Sequence, residues 1–218
     1  MQQLLPVSWK LNPISIAKIA ISIFYAVGIA GLIWEETRSI FQFLTPFHLL
    51  LSAIILFYFH QDWNKAFLVF GILTFLIGMS SEIIGVKTGL IFGDYIYGPV
   101  LGLKLMEVPL IIGVNWLILA YMWGKLSGDL NISRLYAAIV ASIGMVAMDF
   151  LIEPVAIALD FWQWTSGDIP FSNYLGWLGI AFLIQLSFQF LPFQKKNTIS
   201  SYLLVNMCLF FAILNFLL

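Results

Sequence analysis

Hydrophobic residues along this chain fall into seven long runs separated by short polar segments. The apolar runs cover residues 14–34, 44–60, 66–86, 108–124, 134–157, 173–191 and 198–217. A helix needs about 20 predominantly apolar residues to cross the hydrocarbon core of a bilayer. The pattern therefore predicts an all-α fold, a polytopic integral membrane bundle of about seven transmembrane helices. Residues 1–218 are predicted to form a single transmembrane domain, because neither a repeat nor a linker interrupts the pattern.

Two of the connecting segments are more than simple turns. The segment between the third and fourth runs contains five glycines, at positions 85, 89, 93, 98 and 102, too many for an ordinary helix. It is predicted to fold back as a re-entrant loop, because non-helical backbone at membrane depth needs protein or water to satisfy it. A segment rich in Trp and Asp follows the fifth run. Both segments belong to the same side of the predicted bundle, so we expect them to meet over the third and fifth helices.

The composition is typical of a membrane protein and argues against several classes of function. Hydrophobic residues make up 61% of the chain and charged residues 10%, against about 45–50% and about 25% in soluble domains. The net charge of −1 gives no indication of nucleic-acid binding. Cys208 is the single cysteine, and the two histidines, His48 and His60, do not form a helical pair at metal spacing. We therefore predict no metal site and no cofactor.

Basic residues are distributed unequally between the two ends of the predicted helices. A cytoplasmic N-terminus places seven basic residues on the cytoplasmic side and three on the other, as the positive-inside rule requires. We thus predict a protein of the bacterial or archaeal cytoplasmic membrane, with the N-terminus inside, the C-terminus outside and the first run retained as an anchor. Nine of the eleven acids then lie toward the outer side: Glu35, Glu36, Glu82, Asp94, Glu107, Asp149, Glu153, Asp160 and Asp168.

Three of these acids, Glu82, Asp149 and Glu153, lie inside apolar runs. Acids within a membrane span are energetically expensive and indicate a functional site. Asp149 and Glu153 are four residues apart and so share one helical face. In an apolar pocket one carboxyl group can keep its proton at neutral pH while a second stays ionised, and aromatic faces can stabilise a cation. This set suits protonation of a carbon–carbon double bond, followed by capture of the carbocation by water or by ring closure.

Simpler roles stay open for the same residues. Asp149 and Glu153 can form a polar contact between helices. An aromatic belt at the membrane surface or solvation in a loop can account for six others: Trp162, Trp164 and Trp177, and Asp160, Asp168 and Glu107. Acyl transfer and hydride transfer are not predicted, because the chain lacks a Ser–His pair and a dinucleotide fingerprint.

Two stretches carry a combination of residues that is more specific than any of its parts. The first is Glu82, Gly85, Thr88-Gly89, Phe92-Gly93, Tyr95, Tyr97, Val108-Pro109 and Trp116. The second is Asp149, Glu153-Pro154, Trp162, Trp164, Gly167, Pro170, Asn173 and Gly176-Trp177. Over about residues 66–180 they resemble the membrane carotenoid-biosynthesis hydratase family, which includes γ-carotene 1′,2′-hydratase and bisanhydrobacterioruberin hydratase. One difference is Glu153, where the family pattern has Asp before the proline.

The resemblance implies addition of water across the terminal C1′,2′ double bond of an acyclic (ψ) carotenoid end, without a cofactor. Protonation at C2′ would give a tertiary cation at C1′, which water captures. Asp149 or Glu82 is the implied proton donor. Glu153 or Asp94 is implied to position water. The implied substrate-binding residues are Phe92, Tyr95, Tyr97, Trp162, Trp164, Asn173 and Trp177. The implied partners are the acyclic polyene, membrane lipid and other enzymes of the carotenoid pathway.

Three other functions stay compatible with the sequence. A carotenoid (lycopene) cyclase would protonate a similar end group and close a ring, so its product would be an isomer. The spacing of Asp149 and Glu153 also fits a magnesium-dependent prenyltransferase of the lycopene elongase kind, although only one such pair occurs. A proton-coupled small-molecule transporter could use buried acids as a relay, but the chain has no clear inverted repeat.

Overall fold

The computed structural model describes residues 12–218, and 73% of those residues are helical. Within that range lie seven helices, each long and apolar enough to cross a membrane. Their bounds are α1 (Pro13–Ile33), α2 (Glu35–Tyr58), α3 (Lys65–Thr88), α4 (Leu110–Gly128), α5 (Arg134–Ala158), α6 (Phe171–Phe190) and α7 (Ser200–Leu217). The predicted all-α polytopic bundle is confirmed. Lys10 is one of the seven basic residues that a cytoplasmic N-terminus places on the cytoplasmic side, and it lies outside the described residues.

Side-chain caps mark where several of these helices begin. The Asn12 side chain accepts a hydrogen bond from the backbone N–H of Ser15 (2.7 Å), and Asn64 accepts one from Phe67 (2.9 Å). Such caps satisfy N–H groups that have no partner inside the helix. At the other end of α3, Gly89 adopts a left-handed backbone conformation with φ of 67°. Glycine tolerates this conformation without strain, and it turns the chain into the glycine-rich segment.

The fourth helix forms the centre of the bundle. It packs against α2, α3, α5, α6 and α7, whereas α1 packs mainly against α2 and α7. The large side chains of Trp116 and Tyr121 are fully buried on α4. Because α4 contacts both α3 and α5, it can contribute side chains to any site that lies between their ends.

The two irregular segments meet and form a small structured cap. Strand β1 (Tyr95–Tyr97) pairs antiparallel with β4 (Trp162–Trp164), and β2 (Lys104–Leu105) pairs with β3 (Val108–Pro109) in a hairpin. The predicted meeting of the segments is confirmed, whereas strands are not predicted by the sequence pattern. Strands of two or three residues are too short to show a period-two hydrophobic pattern, and their pairing depends on tertiary contacts.

The second helix begins at Glu35, nine residues before the apolar run that predicted it. Its first turn is polar, and the acids Glu35 and Glu36 lie where the helix dipole favours negative charge. Arg38 then donates hydrogen bonds to the backbone oxygens of Leu32 (2.9 Å) and Ile33 (3.1 Å) at the end of α1. This polar turn therefore satisfies α1 carbonyl groups that lack helical partners.

Candidate active site

Pairing of β1 with β4 places four aromatic side chains over the ends of α3 and α5. Tyr95 lies opposite Trp164, and Tyr97 lies opposite Trp162. Alternate residues of a strand point to the same face, so these four side chains share one face, while Ile96 between the tyrosines is 64% exposed. The hydroxyl groups of the two tyrosines reach Glu82, and the indole N–H groups of the two tryptophans reach Glu153.

Glu82 lies in the second-to-last turn of α3 and is buried. Its Oε2 accepts hydrogen bonds from the hydroxyl groups of Tyr95 (2.5 Å) and Tyr97 (2.7 Å). Its Oε1 accepts a hydrogen bond from Nε1 of Trp116 on α4 (3.0 Å). Three donors on one carboxyl group stabilise its ionised form.

Glu153 is held in a similar way from α5. Its Oε2 accepts hydrogen bonds from Nε1 of Trp162 (3.0 Å) and Nε1 of Trp164 (2.8 Å). Its Oε1 accepts a third from Nδ2 of Asn173 on α6 (3.1 Å). An indole N–H is only a donor, so this arrangement also favours a carboxylate.

Asp149 has a different environment, although it lies one turn before Glu153. Its Oδ2 accepts a hydrogen bond from Nδ2 of Asn173 (2.7 Å). Its Oδ1 is buried and has no hydrogen-bond partner within residues 12–218. A buried carboxylate oxygen without a partner is costly. A protonated carboxyl group avoids that cost when its O–H can reach a water molecule or a substrate.

The two tyrosines that bind Glu82 keep their protons. Burial, followed by the nearby negative charge of Glu82, raises the pKa of Tyr95 and the pKa of Tyr97 above the ordinary value for a phenol. Both side chains therefore act as hydrogen-bond donors over the whole physiological pH range.

The three carboxyl groups surround a small cavity of about 30 Å³. A water molecule requires about 10–15 Å³ of accessible cavity volume, so this cavity has room for one or two water molecules. Aromatic side chains, two amides and one aliphatic residue complete its wall: Phe92, Tyr95, Tyr97, Trp162, Trp164, Trp177, Asn115, Asn173 and Ile112. It is a polar, water-sized space at the end of the bundle.

A second cavity, of about 370 Å³, adjoins the first and is almost entirely apolar. Its wall comes from α1, α2, α4, α5 and α7 and from the cap. Ile112, Asn115 and Trp162 line both cavities, so they form the boundary between them. Four side chains that line the large cavity are exposed, and all four lie on α1 or α2: Phe24, Val27, Leu44 and Phe47. We infer that the mouth of the cavity lies there, between α1 and α2. This mouth opens on the flank of the bundle, which a membrane would cover with lipid.

The structure brings most of the predicted site residues together. Three of the four predicted catalytic acids and all seven predicted substrate-binding residues line the small cavity. Asp94 does not: its side chain is exposed and lies beside Gly89, outside both cavities. Trp177 stacks on Trp116, with ring centroids 4.0 Å apart. One set of contacts was not predicted from the sequence. It consists of the hydrogen bonds to the carboxyl groups from Tyr95, Tyr97, Trp162 and Trp164.

Sequence reasoning missed the large cavity and two residues of α4. Trp116 was noted only as part of a family pattern, and Asn115 was not considered. A signal for Asn115 existed, because it is the one amide between Leu110 and Tyr121 in an otherwise apolar run. The large cavity had no comparable signal, because it is built from ordinary apolar residues of helices distant in sequence.

A protein family and a curated relative are similar to this chain. A family model described as "Carotenoid biosynthesis protein" matches residues 43–218. The chain belongs to this carotenoid biosynthesis family. The match includes every residue of the small cavity and omits α1, which contributes part of the large one.

A curated relative is similar to half of this chain. Bisanhydrobacterioruberin hydratase of Haloarcula japonica is 27% identical over 122 residues. The aligned part covers 50% of this chain and 40% of the relative, so the chain spans well under two thirds of that protein. No solved structure matches the chain.

Proposed function

We propose that this protein is a cofactor-independent carotenoid hydratase that adds water across the terminal C1′,2′ double bond of an acyclic carotenoid end. One observation carries the proposal: three buried carboxyl groups surround a water-sized cavity that adjoins a large apolar cavity open on the flank of the bundle. Membership of the carotenoid biosynthesis family and the similarity to a hydratase support it.

The large cavity is the proposed binding site for the polyene end. Its volume of about 370 Å³ is within the usual range of small-ligand sites, about 300–1,000 Å³. Its apolar wall favours a hydrocarbon chain through burial alone. The mouth between α1 and α2 lets the substrate enter sideways from the bilayer, with the rest of the chain remaining in lipid. Under the proposed cytoplasmic N-terminus, the cap and the carboxyl groups lie toward the outer surface.

Asp149 is the proposed proton donor. Glu82 and Glu153 each accept three hydrogen bonds, which favours their ionised forms, whereas Asp149 has one buried oxygen without a partner among the described residues. The proton passes from Asp149 to C2′ of the substrate, and the π electrons form the new C–H bond. A tertiary cation then develops at C1′.

Carboxylate and aromatic groups stabilise this cation. Glu82 and Glu153 are bound by neutral N–H and O–H donors, so their negative charge is not cancelled by a basic side chain. None of the described residues that line the two cavities is Lys or Arg. The face of Trp162, at the boundary between the cavities, offers a further interaction with positive charge.

Water captures the cation from the small cavity. Its oxygen forms the C–O bond at C1′, and its second proton passes to a carboxylate, Glu153 or Glu82. Proton exchange within the cluster restores Asp149 through water in the small cavity, because the three carboxyl groups line the same water-sized space. The net change is addition of one water molecule.

The experiment is expression in a host that accumulates lycopene, followed by mass analysis of the pigment. The wild-type chain is expected to add one water per reacting end. Asp149→Asn keeps the shape of the side chain but removes its acid, so hydrated product should fall by about 100-fold or more, the usual contribution of a general acid. Asp168→Asn, at an exposed loop acid outside both cavities, is the matched control and should retain activity.

Three outcomes would contradict the proposal. Undiminished hydration by Asp149→Asn would remove Asp149 from the mechanism. A wild-type product that is an isomer of the substrate would favour a cyclase, and unchanged pigment would favour transport. The water-sized cavity beside the acids is the reason to expect hydration, because ring closure requires no bound water.

A further inference from the structure

Asn115 lies on the boundary between the two cavities. It is half-buried on α4, one turn from Ile112, and both residues line the small polar cavity as well as the large apolar one. Its neighbour in sequence, Trp116, points to Glu82 instead. Asn115 thus places a primary amide between the carboxyl cluster and the space proposed for the polyene end.

The Asn115 amide differs from the other amides inside the bundle. Gln185 donates to the backbone oxygen of Ala120 (2.8 Å), and Gln189 donates to that of Gly124 (2.9 Å). The side chain of Asn115 has no hydrogen bond to any residue between 12 and 218. An amide in apolar surroundings without a partner is unfavourable. Its position indicates that the partner is a water molecule or a substrate atom in the cavity.

We propose that Asn115 is a positioning residue that holds the attacking water between the carboxylates and the carbocation. This inference rests on the proposed hydratase function. The amide offers two N–H donors and one acceptor oxygen, so it can orient a lone pair of water toward C1′ while a carboxylate accepts the proton of that water. Asn115 then determines which product the cation forms, whereas Asp149 is responsible for forming the cation.

A carbocation that is not captured has a second route. A C–H bond next to C1′ breaks, its electrons form a new double bond, and the proton returns to a carboxylate. The product is then a double-bond isomer of the same mass as the substrate. With water held in place, the C–O bond forms first and the hydrated product dominates. The ratio of hydrated to isomerised product therefore reports the position of the water.

The test replaces Asn115 with Leu, which has nearly the same shape and no hydrogen-bonding group. An acyclic ψ-end carotenoid is supplied to membranes that contain the variant, and both products are quantified against consumed substrate. The ratio of hydrated to isomerised product is expected to fall by about tenfold, which corresponds to about 1.4 kcal/mol. Asn115→Ser, which restores a donor and an acceptor, should recover part of the ratio.

Asn206→Leu is the matched control, because Asn206 is also an amide in an apolar helix but bonds to Tyr202 of its own helix (2.9 Å) and lines neither cavity. Its product ratio should equal that of the wild type. An unchanged ratio in Asn115→Leu would overturn the role of Asn115 alone, whereas a wild-type chain that makes no hydrated product would overturn the hydratase proposal. If the Leu variant does not accumulate in membranes, Asn115→Ala provides the same comparison with a smaller side chain.

Discussion

At the scale of single residues, the buried carboxyl groups of this bundle are bound by neutral donors. Tyrosine hydroxyl and tryptophan N–H groups bind Glu82, and two tryptophans and one asparagine bind Glu153. A basic partner would stabilise these carboxylates more strongly, but it would also cancel their charge. Neutral donors leave a negative potential in the cavity, and a carbocation intermediate requires that potential.

The donors to Glu153 can be tested one at a time. Trp164→Phe keeps an aromatic ring but removes the N–H that lies 2.8 Å from Oε2. A hydrogen bond to a charged group contributes about 1.5–3 kcal/mol, so kcat for hydration should fall by about 10- to 100-fold with little change in KM. Trp63→Phe, at an exposed position far from the cap, should leave both unchanged. A rise in KM for Trp164→Phe with constant kcat would contradict this role, because it would indicate a lost binding contact.

At the scale of elements, the seven helices could be predicted from the apolar runs. The meeting of the two irregular segments could be predicted from the glycine spacing and from their location on the same side of the membrane. These are properties of short windows of sequence. The β1–β4 pairing and the early start of α2 at Glu35 did not follow. Both depend on groups distant in the fold, such as the carboxylates below the strands and the α1 carbonyl groups that Arg38 binds. The pair Asp149 and Glu153 could be predicted because both lie on one helix.

The end of the bundle opposite the cap has its own polar contact between connecting segments. His60, just after α2, is buried; its Nε2 donates to the backbone oxygen of Asp62 (2.9 Å), and its Nδ1 accepts from the Tyr121 hydroxyl (2.7 Å). A backbone bridge also joins His60 to Asn197, before α7. In the neutral imidazole with its proton on Nε2, Nδ1 is free to accept this hydrogen bond from Tyr121.

This contact predicts a stability that depends on pH. Burial lowers the pKa of His60 below its ordinary value of 6.5. The unfolded chain therefore binds the proton more readily, so stability is complete above about pH 6.5 and decreases as the pH falls below it. Thermal unfolding in detergent should show a Tm that drops as the pH falls below about 6.5. His60→Gln, which cannot titrate, should reduce that drop. An equal drop in both proteins would exclude His60 as its source.

At the scale of the whole molecule, the proposed substrate site depends on helices that carry none of the three buried carboxyl groups. The large cavity takes much of its wall from α1, α2 and α7, whereas the carboxyl groups lie on α3 and α5. Sequence patterns indicated the acids because charge inside an apolar run is unusual. They did not indicate the cavity, because the space left between packed apolar helices depends on the shapes of many side chains together.

Substitution of Gly28 can fill part of the large cavity without altering the three buried carboxyl groups. It lies on α1 in the cavity wall, and a Cβ atom added there would lie 3.2 Å from the Phe210 ring. A leucine at this position would therefore occupy space proposed for the polyene. For Gly28→Leu we expect kcat/KM for a full-length acyclic carotenoid to fall by about tenfold or more, mainly through KM, because binding is lost while the carboxyl cluster stays intact.

Gly179→Leu is the control for this substitution, since Gly179 is exposed on α6 and an added Cβ atom would meet no atom within 4 Å. Both changes replace a helical glycine with a better helix former, so a difference between them reflects the cavity and not helix stability. An equal kcat/KM in the two variants would mean that the polyene does not use the space beside Gly28. The substrate would then have to reach Asp149 by another route, and the opening between α1 and α2 would lose its proposed role.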